Sequence, residues 1–402
     1  MARYKSLVFG FLLLICFSSA TLSAQETFKI QFSPGEKFKL TERHDFSKRV
    51  NGVYKGYIYR EVRGIMEVAA DTGGRGQVLT GKFYVLEEMK REARHVARRI
   101  DKTVTSSFRI NHDGNYVISE NQAYPLLRGF PVFPNKAIKK GDKWRAYGTR
   151  IVEPLHDGVF TRVRFYCEYE YLGKGTYNGA ECDIIKAQYA MRYKAGDDPY
   201  GDERIREISG KHVVTIYFNG DKGKPLFMRD LTEEQYTYAD NTVELYKGFI
   251  LTWFDMIMIM DRSQVKKDLI DEIKDSNIPD VTVEERDEGV ALTVNKIHFV
   301  ADKAVVLPDE RARLDVLAET LKKIKGRSFL IVGHTAKWGS TESQYTLSVE
   351  RAKAIVDYMV GKGIPAERFL YEGRGAAEPV ADNDTPEGRA KNRRVEIIIL
   401  ED

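Results

Sequence analysis

The feature that most constrains this chain is a change of period part-way along it. From Glu26 to about Lys247, apolar or aromatic residues alternate with polar ones, as in Lys37–His44, Gly76–Glu88, Thr161–Leu172, Asp183–Lys194 and Lys211–Phe218, with Gly-rich turns between. Alternation of this kind puts one face of a strand on a core and the other in water. From about Val265 the spacing becomes helical, with Val265, Leu269, Ile270 and Ile273 on one stripe. Two differently built regions are therefore expected: an antiparallel β-rich front region, then an α/β module.

The N-terminus reads as an export signal. Arg3 and Lys5 precede an apolar run from Leu7 to Phe17, and small residues follow at Ser18, Ser19, Ala20, Ser23 and Ala24. Cleavage is expected after Ala24, with Ala20 as the alternative. Cys16 raises lipidation, but bulky Leu14 and Ile15 stand where a lipid-attachment site wants small residues. Removing Arg3 and Lys5 takes the formal charge from +4 to about +2, so no global field points to nucleic acid. Gly248–Met260 contains Asp255 and is shorter than the roughly 20 apolar residues a membrane helix needs, so it reads as core. An outer-membrane barrel is not indicated either, because many strand-like segments carry charge on both faces.

The expected division is a signal peptide at 1–24, β-rich sub-domains at 26–140 and 141–247, a helical connector at 248–280 and an α/β module at 281–402. The Pro-punctuated stretch Phe130–Trp144 either separates the two sub-domains or crosses one curved sheet or sandwich. Within the front region, Lys90–Lys102 has Ala93, Val96, Ala97 and Ile100 at helical spacing, predicting a basic amphipathic helix that either covers the sheet or meets an anionic surface. Cys167 and Cys182 flank the turn-rich Gly173–Gly179, so they are either a cross-strand disulfide or two buried thiols.

In the module the predicted order is β-α-β-α-β-β, with helices on one side of a mixed sheet. Strands are expected at Gly289–Ile297, Ser328–Gly333, Phe369–Glu372 and Val395–Leu400. One helix buries Leu314, Leu317, Leu321 and Ile324, and a second buries Val349, Ala352, Val356 and Met359. On the second helix, Gln344, Leu347, Ser348 and Arg351 share another face and can line a pocket.

Several separated motifs in this module agree in order and spacing: Phe299–Glu310 (FVADKAVVLPDE), Val332–Ala336 (VGHTA), Gln344–Ala352 (QYTLSVERA), Gly373, Gly375 and Pro379, and Thr385–Ile397 (TPEGRAKNRRVEI). Together they resemble the OmpA-like, peptidoglycan-binding family of bacterial envelope proteins, over roughly Val281–Asp402. The resemblance implies a non-enzymatic periplasmic protein, associated with the outer membrane or free of it. It also implies that Arg351 grips the carboxylate of a stem-peptide diamino acid. The family's aspartate for the ligand ammonium falls on Ala336, so this chain lacks half the clamp, and Gln344 stands where the family has asparagine.

The expected ligand set is Arg351, Asp302, Thr335, Gln344, Leu347, Asn392 and Arg393; of the pair Arg393 and Arg394, one is expected at the ligand and one in the fold. The competing structural role for Arg351 is pairing with Asp302 or Glu350. No cofactor or metal is expected: the 7 histidines show no HExxH or ligand spacing, and neither CxxC nor GxSxG occurs. The front region is expected to contact another envelope protein or lipid. The alternative is a lipid or apolar-ligand binder whose C-terminal module has become a scaffold, which requires a large apolar cavity within Glu26–Lys247.

Overall fold

The computed structural model describes residues 25–69, 74–90, 96–295, 297–300 and 303–402. The signal segment, Cys16 and Asp302 lie outside the described residues. The front region begins with β1 (Lys37–Val50), β2 (Val53–Val68), β3 (Gly76–Lys90), β4 (Arg98–Asn111), β5 (Tyr116–Val117) and β6 (Leu127–Arg128). It continues with β7 (Lys143–Val152), β8 (Thr161–Tyr177), β9 (Ala180–Lys194), β10 (Ile205–Asn219), β11 (Lys224–Tyr238) and β12 (Val243–Met256). All pair antiparallel in the order β5-β4-β3-β2-β1-β12-β11-β10-β9-β8-β7-β6. Strands before and after residue 140, which the sequence reading split into two sub-domains, are hydrogen-bonded through β1 and β12 and share one core.

The sheet curls on itself. Five strands separate β1 from β7 in the sheet order, yet Arg150 of β7 lies 3.8 Å from Glu42 of β1 and 3.4 Å from Glu234 of β11. Aromatic side chains fill the interior. Phe28 packs on Phe133 and Phe218, Tyr124 stacks on Phe83, and Phe130 meets Phe165 and Tyr189. The loop segment 112–142 thus plugs the hollow of the curled sheet, which is how a strand-poor stretch becomes core.

Two expectations fail here. Arg98–Lys102 is the start of β4, not part of a basic helix, and residues 91–95 are outside the described set. Pairing of Leu86 with Ile100 and of Val85 with Lys102 overrides the weak helical stripe. Gly248–Met256 belongs to β12, so the helical connector starts later, with α1 (Arg262–Asp275). The stretch is core only in part, since Met258 and Ile259 are exposed. Of the two readings of the cysteines, the buried thiols hold: Cys167 pairs with Tyr189 and Cys182 with Gly175, so they are not opposite each other and both are free. The β8–β9 turn is centred on Asn178 and Gly179, both at positive φ, and not near Gly175. Asn-Gly is the strongest short hairpin signal in a sequence, and it sets the register that keeps the sulfurs apart.

The C-terminal region contains β13 (Val281–Arg286), β14 (Gly289–Val294), α2 (Arg311–Lys323), β15 (Phe329–Gly333), α3 (Thr341–Gly361), β16 (Phe369–Gly373), α4 (Pro386–Asn392) and β17 (Val395–Leu400). The sheet order is β13-β14-β17-β15-β16, with β15 and β16 parallel and the other pairs antiparallel. The β-α-β-α-β-β order is present, preceded by β13 and interrupted by α4. One face buries Leu292, Ile331, Ile397 and Phe369 beneath helices carrying Leu269, Leu317, Leu321, Ile355 and Met359.

The other face is covered too. Ala291, Leu330, Val332, Leu370, Ile398 and Leu400 pack against Tyr84, Leu86 and Ile100 from the outer face of β3 and β4. At this joint β16 runs parallel to the start of β4, pairing Leu370 with Arg98 and Tyr371 with Arg99, so the two sheets are hydrogen-bonded to each other. Arg98 is buried there, its guanidinium over the Tyr59 ring at 4.7 Å and its Nη2 donating to the Glu87 carbonyl at 3.0 Å. Ion pairs from Lys37 to Glu401 and from Lys82 to Glu288 flank the seam.

Candidate functional site: the cleft beyond β15

The carboxyl end of β15 leads into His334, Thr335 and Ala336, and the chain then turns into α3. In open α/β sheets this is where ligands meet the strand ends. The turn is fixed by backbone bonds from His334 N to the Arg394 carbonyl (3.0 Å) and from Thr335 N to the Gly375 carbonyl (2.8 Å). Glycine is required at two points. A side chain on Gly333 would meet the Ser348 carbonyl at 2.1 Å, and one on Gly373 the Ser348 hydroxyl at 2.2 Å, so β15 and β16 can lie directly against α3. Ser340 caps α3 by accepting from Ser343 N at 3.1 Å.

These elements frame an open cleft of about 810 Å³, lined by Thr335, Ala336, Trp338, Gln344, Leu347, Arg351, Arg389 and Arg393, with Glu342 and Glu350 among the rest of the lining. Of the expected ligand set, Thr335, Gln344, Leu347, Arg351 and Arg393 meet here, around Ala336. The Thr335 hydroxyl is buried and has no hydrogen-bond partner among the described residues. Gln344 uses its amide nitrogen on the Trp338 and Gly339 carbonyls, at 3.1 and 3.0 Å, and so closes the loop while facing the cleft. Arg351 is 8% exposed. Its guanidinium lies 4.9 Å from the Phe299 ring, and its Nε donates to the Lys303 carbonyl at 3.4 Å, so it is held as well as presented.

Two expected residues behave differently. Asn392 is 1% exposed and fully used: its Oδ1 accepts from Val380 N and Ala381 N, and its Nδ2 donates to the Ala381 carbonyl. It shapes the loop behind the cleft and does not line it. Ser348, expected on the pocket face, is buried, donating to the Tyr345 carbonyl and accepting from Gly375 N. Asp302 lies outside the described residues. The paired arginines divide as the sequence suggested, since Arg393 reaches the cleft while Arg394 is buried on Glu396 and the Glu378 carbonyl.

Among the lining residues that the sequence pattern did not single out are Trp338 and Arg389. Trp338, 83% exposed, follows the strand-end motif by two residues, and Arg389 donates to the Asn383 and Asp384 carbonyls. An exposed tryptophan next to a ligand motif was the available signal for the first.

Behind the cleft sits a buried ionic cluster. Glu396 accepts from Arg394 at 2.9 Å and lies 3.4 Å from His334. Burial opposes ionisation of Glu396, but His334 and Arg286 outweigh it and hold the carboxyl well below its ordinary range. Burial pushes His334 the other way from protonation, below its ordinary value, with Glu396 only partly opposing.

Fold and cleft together define an α/β module whose pocket carries three arginines. A model described as the OmpA family matches residues 298–393, and the C-terminal region belongs to that family. Over 109 residues it is 39% identical to the peptidoglycan-binding protein ArfA of Mycobacterium tuberculosis, covering 27% of this chain and 33% of that protein. Outer membrane protein A of Bordetella avium is 40% identical over 102 residues, covering 25% of this chain and 53% of the relative. The cell wall anchor of the T6SS from Pseudomonas aeruginosa is 32% identical with a TM-score of 0.30, covering 35% of this chain and 99% of that one. This chain therefore spans a third to about half of those two curated relatives, and the matches lie in the C-terminal region. Among the described residues no helix is long and apolar enough to cross a membrane.

Proposed function

We propose that this is a non-enzymatic protein of the periplasm, associated with the outer membrane or free of it, that associates with peptidoglycan through the β15–α3 cleft. In this reading Arg351 and Arg393 take the carboxylate of a stem-peptide residue, because an arginine fork offers parallel charge-assisted hydrogen bonds. Thr335, Gln344 and Leu347 orient it. The observation that carries the reading is the convergence of these side chains around Ala336.

Ala336 brings no acceptor for a ligand ammonium. A charge-assisted hydrogen bond contributes about 1.5–3 kcal/mol, so affinity for a diamino-acid stem is expected to be roughly one to two orders of magnitude below that of an aspartate-bearing cleft. The front region supplies the contact with another envelope component.

The alternative, a carrier of lipid or another apolar ligand, needs a large apolar cavity in the front region. The apolar pocket there, between Phe32, Phe83, Phe108 and Phe130, holds about 20 Å³, against the roughly 300 Å³ at which ligand pockets begin. Pull-down of the full mature chain on purified sacculi tests the proposal. Retention lost on Arg351→Ala, in a protein that stays folded, is the expected result. Equal retention of both proteins rejects the cleft as the wall site.

A further inference from the structure

The front region holds a second cavity, distinct from the wall-binding cleft, whose lining also takes in Tyr345 of α3. It occupies about 520 Å³ inside the curled sheet, well within the range of small-molecule sites. Its deep end is Arg150, which is 3% exposed. The guanidinium makes ion pairs at 3.8 Å to Glu42 and 3.4 Å to Glu234, but no hydrogen bond among the described residues. Glu234 mirrors it. Its Oε2 accepts from the Tyr236 hydroxyl at 2.5 Å, while its buried Oε1 has no hydrogen-bond partner among the described residues. Glu234 Oε1 lies between Arg150 Nε at 3.4 Å and His212 Nε2 at 3.6 Å, so a buried ionic cluster with hydrogen-bonding capacity to spare stands on one cavity wall. Leaving such groups unsatisfied costs about 1–3 kcal/mol each, so the cavity favours an occupant that both donates and accepts, as water or a hydroxylated ligand does.

The rest of the lining says what kind of molecule that is. Arg60 is neutralised by Glu88, Lys102 by Glu153 and Arg99 by Asp101. An anion at the deep end would face Glu42 and Glu234 as well as Arg150, and a cation nearer Arg60 and Lys102 would meet carboxylates already paired with those side chains. An apolar molecule would strand the buried charges. A hydroxyl suits the pair, since it can donate to Glu234 Oε1 while accepting from Arg150. Tyr124, Tyr236 and Tyr246 add aromatic and phenolic surface.

We propose that this cavity binds a small, uncharged, polyhydroxylated ligand of the mono- or disaccharide class, with Arg150 and Glu234 as its polar anchors.

The test is calorimetry and thermal shift on the full mature chain with N-acetylglucosamine, its β-1,4-linked disaccharide and maltose, using citrate and spermidine as charged controls. Saturable binding of at least one saccharide, about tenfold tighter than either control, is expected. Arg150→Lys keeps the charge but loses the fork, and binding should weaken at least about tenfold. Leu126→Trp, at a half-buried position on the lining, should block entry and serves if the arginine variant does not fold. Arg351→Ala, in the other region, should leave saccharide binding unchanged. No saturation by any of the three sugars at millimolar concentration overturns the proposal. So does tighter binding of citrate or spermidine, or loss of sugar binding on Arg351→Ala, which would move the site to the cleft.

Discussion

The two regions solve the problem of burying a sheet in different ways. In the C-terminal region, aliphatic side chains such as Leu317, Leu321, Ile355 and Ile397 fill the space between helices and strands, and the functional surface is left outside, at the strand ends. In the front region, a 12-strand sheet curls round an aromatic interior that also encloses Glu42, Arg150, His212, Asp230 and Glu234. Helices laid on a sheet present branched aliphatic residues that interdigitate to a dense core. A sheet closing on itself meets its own far strands, and rigid rings leave a hollow that polar groups line. The cleft at the strand ends and the cavity within the curled sheet follow from the two packing modes, and the seam between the regions is a structural element in its own right.

The seam is where the comparison can be broken most forcibly. Ile100→Ala removes a fully buried side chain from the joint of β4 with the C-terminal sheet and should cost about 2–5 kcal/mol. Denaturant unfolding followed by far-UV circular dichroism should show the loss, together with a transition that broadens as the regions uncouple. A sharp transition with unchanged midpoint would mean that the regions fold independently.

Ala336→Asp sharpens the functional half of the contrast. It should strengthen binding of the full chain to diaminopimelate-type peptides by about 1.5–3 kcal/mol in calorimetry. No gain in a folded protein would show that the cleft has diverged beyond this position. Arg351→Ala has a smaller energetic reach on the fold. Removing the guanidinium from the Phe299 ring should lower stability by about 0.5–2 kcal/mol, alongside the loss of sacculus retention.

Protonation separates the regions further. His334 titrates below its unfolded value of about 6.5, so the unfolded chain binds the extra proton and stability should fall as pH drops below about 6.5. Glu396, also depressed, adds a loss in the same direction once pH passes below about 4.5. Thermal unfolding between pH 7.5 and 5 should show this decline, and His334→Gln should flatten the upper part of it. The smallest expected effect is reduction: Cys167 and Cys182 are separate thiols, with burial pushing Cys167 up to about 12. Dithiothreitol should not change the melting temperature, and both cysteines should label in the unreduced, denatured protein.

Legibility differed between the regions for a physical reason. In the C-terminal region each element has its own period and stop signal, so β15, α3 and β17 fall where spacing places them, and motifs at fixed offsets marked Thr335, Gln344, Leu347, Arg351 and Arg393. Asn392 and Ser348 were misassigned because helix spacing fixes a face, but not whether a small polar side chain on it bonds backward to a loop. The front region's alternation revealed strands but not their order, and Lys90–Lys102 shows local helical spacing losing to strand pairing with β3.

Local period and motif spacing are enough to mark most of the strands and helices, the change of region near residue 265 and five of the residues that meet in the cleft, because none of these depends on which distant segments pair. Only the tertiary structure decided that the front strands form one curled sheet, that Arg150 faces Glu42 and Glu234, that the cysteines stay apart and that the second face of the C-terminal sheet is covered by β3 and β4. Those outcomes rest on register and on contacts between residues far apart in the chain, and a strand's alternation is the same whichever neighbour it pairs with.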